Sequence, residues 1–275
     1  MNNRNNIARL RPLCLAALLI VFKGVSAFAA GEDQPQIYSA ASSAKYLPVS
    51  SNWDGAAAVN LLNSFIDRGQ VKSDEPVCQP QLEISRYNFY ADFWGNLGLT
   101  KRQTGGSDFS EFDVTLGYKA PVKAFELRVG LIDYLYPNTT NSETREVFFA
   151  FSYPNPVLTP RVQYFYDFDE VNGSYLFLAL EHQFAFLNQK ATLTPGVSSG
   201  WGSAPYNKYN FKVKEDAFDD GNVYASFEYK LTDTLQVGFS AFYMWLWNGN
   251  IRNNAEKMYF DNKHFVFGVN LLYDL

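Results

Sequence analysis

His264-Phe265-Val266-Phe267-Gly268-Val269-Asn270-Leu271-Leu272-Tyr273-Asp274-Leu275 is the stretch whose reading decides the fold. Phe265, Phe267, Val269, Leu271, Tyr273 and Leu275 form an unbroken apolar series at every second position. His264, Val266, Gly268, Asn270, Leu272 and Asp274 lie between them and are smaller and more polar. Successive side chains of a strand point to opposite faces, so this is a strand with one oily face. It runs to the last residue of the sequence, where chain ends more often fray.

The same two-residue period recurs upstream from residue 82, around 87–93, 111–119, 125–131, 146–153, 161–168, 175–181, 191–198, 222–231 and 235–247. With the terminal stretch these make ten expected strands. The alternation slips at Ile132-Asp133, which predicts a bulge or the rim of a sheet. Short joins near 120–123, 154–158, 186–190 and 232–234 alternate with mostly longer ones at 96–110, 137–144, 200–220 and 248–262. Alternating short and long connections mark the two ends of an outer-membrane barrel, and an even strand count brings both chain ends to one side. Twelve strands is the alternative, if 204–214 forms a hairpin arm that enters the wall.

Composition agrees with a barrel. The chain has 275 residues, a size that suits one all-β domain. Mean hydropathy is only −0.21, yet aromatics reach 17%, with 24 Phe and 18 Tyr. Strands that alternate apolar-out and polar-in produce this combination, whereas a membrane helix needs a long apolar run. Tyr and Trp near the proposed strand ends fit the belts at a membrane boundary. A soluble sandwich would also alternate, but the leader, the loop pattern and the terminal strand favour the membrane.

Residues 1–29 join a basic start, the apolar run Leu13 to Phe22 and Ala27-Phe28-Ala29, the pattern of a secretory signal peptide cleaved after Ala29. Removing Arg4, Arg9, Arg11 and Lys23 takes the formal charge from −5 to −9. Nucleic acid is excluded as a partner, because its recognition needs a basic footprint. Cys78 is then alone and forms no internal disulfide. Residues 30–80 are expected to be a periplasmic N-terminal segment. Its first part is an Ala/Ser/Pro-rich tail. A short helix follows, capped by Asp54, running from Ala56 to Ile66 with Gly69 beyond its end, and lying over the periplasmic mouth. The barrel is expected over 81–275.

The terminal strand is similar to the closing strand of bacterial outer-membrane barrels, with Leu275 where Phe or Trp is usual. Leu116-Gly117-Tyr118 and the hairpin leading to Asp133-Tyr134-Leu135-Tyr136-Pro137 resemble the opening hairpins of the TorF-type porins over roughly residues 86–275. Ser85-Arg86-Tyr87 departs from the Arg-Gly pair usual there. The resemblance implies a Gram-negative outer membrane, lipid as surroundings, and the barrel-assembly machinery as a partner that reads the C-terminal strand. It carries over no functional residues and leaves the oligomeric state open.

The chemistry therefore lies on the polar faces. The expected lumen-lining or solute-contacting residues are Asp92, Glu111, Asp113, Glu126, Arg128, Glu146, Arg161, Asp167, Glu181, Glu228, Lys230 and His264. With Asp274, Arg86 and Lys119 the row holds nine acids and five bases, a mild preference for cations if water passes. About eight strands leave a bore filled by side chains. Ten leave little room, although Gly117, Gly130, Ala150, Ala179, Gly196, Ser226 and Gly268 help. The charges could equally form a network that plugs the barrel. The outer loops, with Trp201, Tyr206, Tyr209 and Phe211, suit an adhesive surface. His264, with Asp92 or Asp167 near it, is the one place for hydrolase chemistry. Two histidines and one remaining cysteine cannot supply spaced metal ligands, and no phosphate-binding glycine loop exists. The reading is a channel for small polar solutes, not an enzyme, with no cofactor.

Overall fold

A computed structural model describes residues 52–100, 109–122, 125–155 and 157–275. The expected leader and the tail up to residue 51 lie outside them. The strands are β1 (Asp54–Leu62), β2 (Phe65–Asp67), β3 (Gln70–Ser73), β4 (Val77–Arg86), β5 (Phe89–Gly98), β6 (Phe109–Val122), β7 (Phe125–Leu135) and β8 (Thr144–Ser152). They continue with β9 (Thr159–Asp167), β10 (Ser174–Glu181), β11 (Phe184–Phe186), β12 (Ala191–Gly202), β13 (Ala217–Lys230), β14 (Leu235–Leu246) and β15 (Lys263–Asp274). Two helices, α1 (Ala204–Phe211) and α2 (Gly249–Met258), follow β12 and β14.

All but β2, β3 and β11 make one antiparallel barrel, ordered β1-β4-β5-β6-β7-β8-β9-β10-β12-β13-β14-β15 and closed by pairing of β1 with β15. That is twelve strands. β11 sits on the β10 side of β12, where Phe184 pairs Leu193, and prolongs β10. The connections after β4, β6, β8, β11 and β13 are two to six residues long, while those at the other end run to sixteen. Short turns on the chain-terminus side and long loops opposite are the arrangement of outer-membrane barrels.

Polarity is inverted relative to a soluble sandwich. Leu116 is 58% exposed and Phe239 53%, while Asp167 is 1% exposed. Apolar rows face out around the wall and ionisable groups face in. Closure also pairs the backbone groups of every wall strand, which lipid could not satisfy.

The two strands beyond the expected ten are β1 and β4. The expected helix over 56–66 does not form, and the wall begins at Asp54, not at 81. Ala56, Ala58, Asn60 and Leu62 are buried on the inner face, while Leu61 is exposed to the outside. Helix propensity of the alanine run is a weak preference. It loses to two complete ladders, with β15 from Ala56 to Leu62 and with β4 from Asp54 to Leu62. The twelve-strand alternative holds, but not through a hairpin arm at 204–214, where α1 (Ala204–Phe211) forms and adds no strand to the wall. No slip occurs at Ile132-Asp133. The register with β8 is continuous there, Ile132 is buried inside, and Asp133 lies outside against Arg145 at 3.1 Å.

Candidate functional site

Between Leu62 and Val77 the chain leaves the wall and folds inward as the hairpin β2–β3. Arg68 and Gly69 form its tip with φ of 44° and 79°. Positive φ at both central residues of a two-residue loop defines the type I′ turn, whose twist matches antiparallel strands. Phe65, Ile66 and Val71 are buried, and the Phe65 ring lies 5.6 Å from that of Trp94 on β5. At the tip, a Cβ on Gly69 would stand 2.7 Å from Leu246 and 3.0 Å from the Asp220 side chain. The hairpin thus crosses the bore from β1 and β4 to β13 and β14. At its root, Asn63 donates to the Phe265 carbonyl (3.2 Å) and accepts from the Phe267 N–H (2.7 Å).

Arg68 reaches β8. Its two terminal nitrogens donate to the two Glu146 carboxylate oxygens, both at 2.7 Å, and each side chain is 5% exposed. The Tyr134 hydroxyl donates to the same carboxylate at 2.9 Å. Phe165 and Tyr175 rings lie 4.3 and 4.8 Å from the guanidinium carbon, and Tyr206 of α1 lies at 6.0 Å. A forked pair with aromatic faces is the arrangement a planar guanidinium fits best. Lys72 on β3 is the second cation of the hairpin, 2.8 Å from Asp67 and 3.2 Å from Glu111. Burial alone would lower its pKa, but Asp67 and Glu111 outweigh that and hold it well above the usual lysine value.

Beside the hairpin, at the long-loop end, lies a cavity of about 840 Å³. Its floor includes Arg68, Glu146, Asp167 and Glu111, and Tyr136, Tyr209, Lys212, Lys257 and Tyr259 stand around it. The volume is that of a small-molecule site. α1 and α2 cover part of the bore, joined by Asn254 donating to the Phe211 carbonyl at 2.9 Å. The Tyr259 hydroxyl sits 2.7 Å from Gln70 and from the Asn210 carbonyl, linking this cover to the hairpin. Burial pushes the Tyr259 and Tyr206 phenols up, with nearby charges adjusting that, so both stay protonated.

The residues expected to line the lumen divide by height. Near the hairpin, Glu146 holds Arg68, Glu111 holds Lys72, and Asp167 accepts from Thr144 at 2.6 Å and from the Asp169 and Val171 backbone. Lower down, Asp92 accepts from Gln81, Glu181 binds Arg161 at 2.9 Å and Tyr224 at 2.7 Å, and Glu126 accepts from Ser152. Asp113, Arg128 and Glu228 are half-buried at inward positions, and Lys230 is exposed at the short-turn rim. Arg86 does not join the row. It faces outward beside Trp53 and Tyr87, because β4 buries its odd-numbered positions. His264 meets neither Asp92 nor Asp167 but Ser64, at 3.1 Å; Ser64 is fully buried at the root of the hairpin. His182 lies half-buried at the short-turn end against the Val157 carbonyl.

Arg68 and Lys72 are the site residues that sequence reasoning missed. The signal was present in Phe65-Ile66-Asp67-Arg68-Gly69-Gln70-Val71, an apolar pair before a glycine turn and a single Val71 after it. Reading Gly69 as the stop of a helix concealed it.

The fold is that of outer-membrane porins and channels. The barrel matches the NanC porin with a TM-score of 0.51 at 12% identity, over 81% of this chain and 100% of that one. It matches the COG4313 outer membrane channel from Pseudomonas putida F1 with a TM-score of 0.51 at 11% identity, over 85% and 98%. A family model described as a bacterial protein of unknown function (Gcw_chp) matches residues 48–249, and the chain belongs to that family. No curated protein sequence matches it. The TorF-type name rests on the sequence resemblance alone.

Proposed function

We propose that the protein is an outer-membrane channel for small polar solutes, held closed by the hairpin β2–β3, and not an enzyme. One observation carries the reading: the barrel interior is lined by charged and hydrogen-bonding groups and holds a cavity of about 840 Å³ at its long-loop end. Bore grows with strand number, so twelve strands enclose space that eight would fill with side chains. Here an inserted hairpin occupies that space. The plug is separable from the wall, because Leu62 and Val77 already pair across its root. Residues 63–76 can therefore be replaced by Asn-Gly, which joins β1 to β4 as an ordinary hairpin.

The test is current across planar bilayers. The full chain should pass little, and the excised chain should pass steady current with a preference for cations. A folded but silent excised barrel, judged by its heat-sensitive gel mobility, would end the channel reading and leave the outer loops as the working surface.

A further inference from the structure

We infer that the seat now filled by Arg68 is a receptor for an organic cation, and that the chain's own guanidinium stands in it as a tethered substitute for a guanidinium- or ammonium-bearing solute. This rests on the channel reading. Every part of the seat belongs to the wall or to the α1 cover, and none to the hairpin. Glu146 offers both carboxylate oxygens at 2.7 Å, and Tyr134 steadies one of them at 2.9 Å. Phe165, Tyr175 and Tyr206 supply ring faces at 4.3, 4.8 and 6.0 Å. A cation over aromatic faces with a forked carboxylate is how proteins bind free organic cations.

A plug does not need such a seat. Apolar packing of similar volume holds buried surfaces at least as well as an ion pair does, because both charges must lose their water. Phe65, Ile66 and Val71 already supply that packing. The ionic seat adds selectivity. A hard metal ion would want six or more oxygens and no rings, which is not this chemistry. An anion would meet Glu146, Glu111 and Asp167 on the wall, while the hairpin's Arg68 and Lys72 are both engaged by carboxylates. Access exists, because Arg68, Glu146, Tyr134 and Tyr206 all line the mouth cavity. Competition with a tethered group of millimolar effective concentration means a solute displaces Arg68 when it accumulates to a similar level.

The test uses the full chain in detergent and methylguanidinium chloride as the probe, with sodium chloride as control. By titration calorimetry, Arg68→Ala should bind methylguanidinium. The unmodified chain, whose seat is filled, and Arg68→Ala/Glu146→Gln should bind it roughly tenfold more weakly or less, the loss expected for a charged hydrogen-bonding partner. Methylguanidinium should also reduce the potassium current of the chain lacking residues 63–76, and this block should disappear with Glu146→Gln. A conducting excised barrel that is indifferent to methylguanidinium, or blocked equally after Glu146→Gln, overturns the receptor while leaving the channel standing. If no form conducts, the channel reading fails, and calorimetry alone decides the receptor: no heat with Arg68→Ala ends it.

Discussion

Two tight turns lie on either side of β4 along the chain, and each sets an arginine against aromatic rings. Tyr87-Asn88 joins β4 to β5 with φ of 51° and 69°, nearly the geometry of Arg68-Gly69. Beside it the Arg86 guanidinium carbon lies 5.3 Å from the Trp53 ring and 4.9 Å from Tyr87, which is 49% exposed. Arg68 has similar ring distances but is buried and forked onto a buried carboxylate. Local backbone and residue types are thus almost the same. What separates the two is burial: at the rim water screens and competes, whereas Arg68 and Glu146 are each only 5% exposed. The same contacts are worth a fraction of a kcal/mol in one place and several in the other.

The largest effect expected is from Arg68→Ala. It leaves Glu146 buried without its guanidinium and should cost the hairpin about 3–5 kcal/mol of seating. Hydrogen exchange of residues 65–73 should become fast while the wall strands keep their protection. Unchanged protection would mean that Arg68 and Arg86 are equivalent after all. Gly69→Val should come next, at about 1–3 kcal/mol or more, since a β-branched residue resists φ of 79° and its Cβ would press on Leu246 at 2.7 Å. The same exchange measurement checks it, and the substitution should loosen the tip more than the root at Asn63.

Replacing both partners, Arg68→Met with Glu146→Leu, should restore most of the seating lost in Arg68→Ala, to within about 1.5 kcal/mol of the native chain. Recovery of slow exchange together with loss of methylguanidinium binding would separate packing from recognition. The smallest effect belongs to Arg86→Ala, below about 1 kcal/mol in urea unfolding of the reconstituted barrel. A larger loss there would show that the exposed cluster is less hydrated than its position implies.

Ten of the twelve wall strands and their facing were legible because lipid on one side and polar groups on the other force alternation at every second residue. Leu176, Leu178 and Leu180 sort cleanly from Tyr175, Phe177, Ala179 and Glu181, even in a strand with few charges. β1 was not legible for the converse reason. Its inner face is Ala56, Ala58, Asn60 and Leu62, its outer face Ala57, Val59 and Leu61, so the two sides barely differ in polarity. β4 was half hidden by Pro80, which sits in the wall opposite Val59. The inward acids were visible one by one, but not their partners. Arg68 meets Glu146 across 78 positions of chain, and no local spacing reports such a distance.

By itself, the amino-acid sequence determined that this chain makes a β wall with an oily exterior and an ionised interior, because a two-residue period is a property of each strand alone. Only the tertiary structure decided that the wall closes at twelve strands and that fourteen residues between β1 and β4 turn inward to fill it. Closure depends on which edges find each other, and the inward turn depends on whether the space inside suits Phe65, Ile66 and Arg68. Both are free energies of the assembled bore, which no single segment carries.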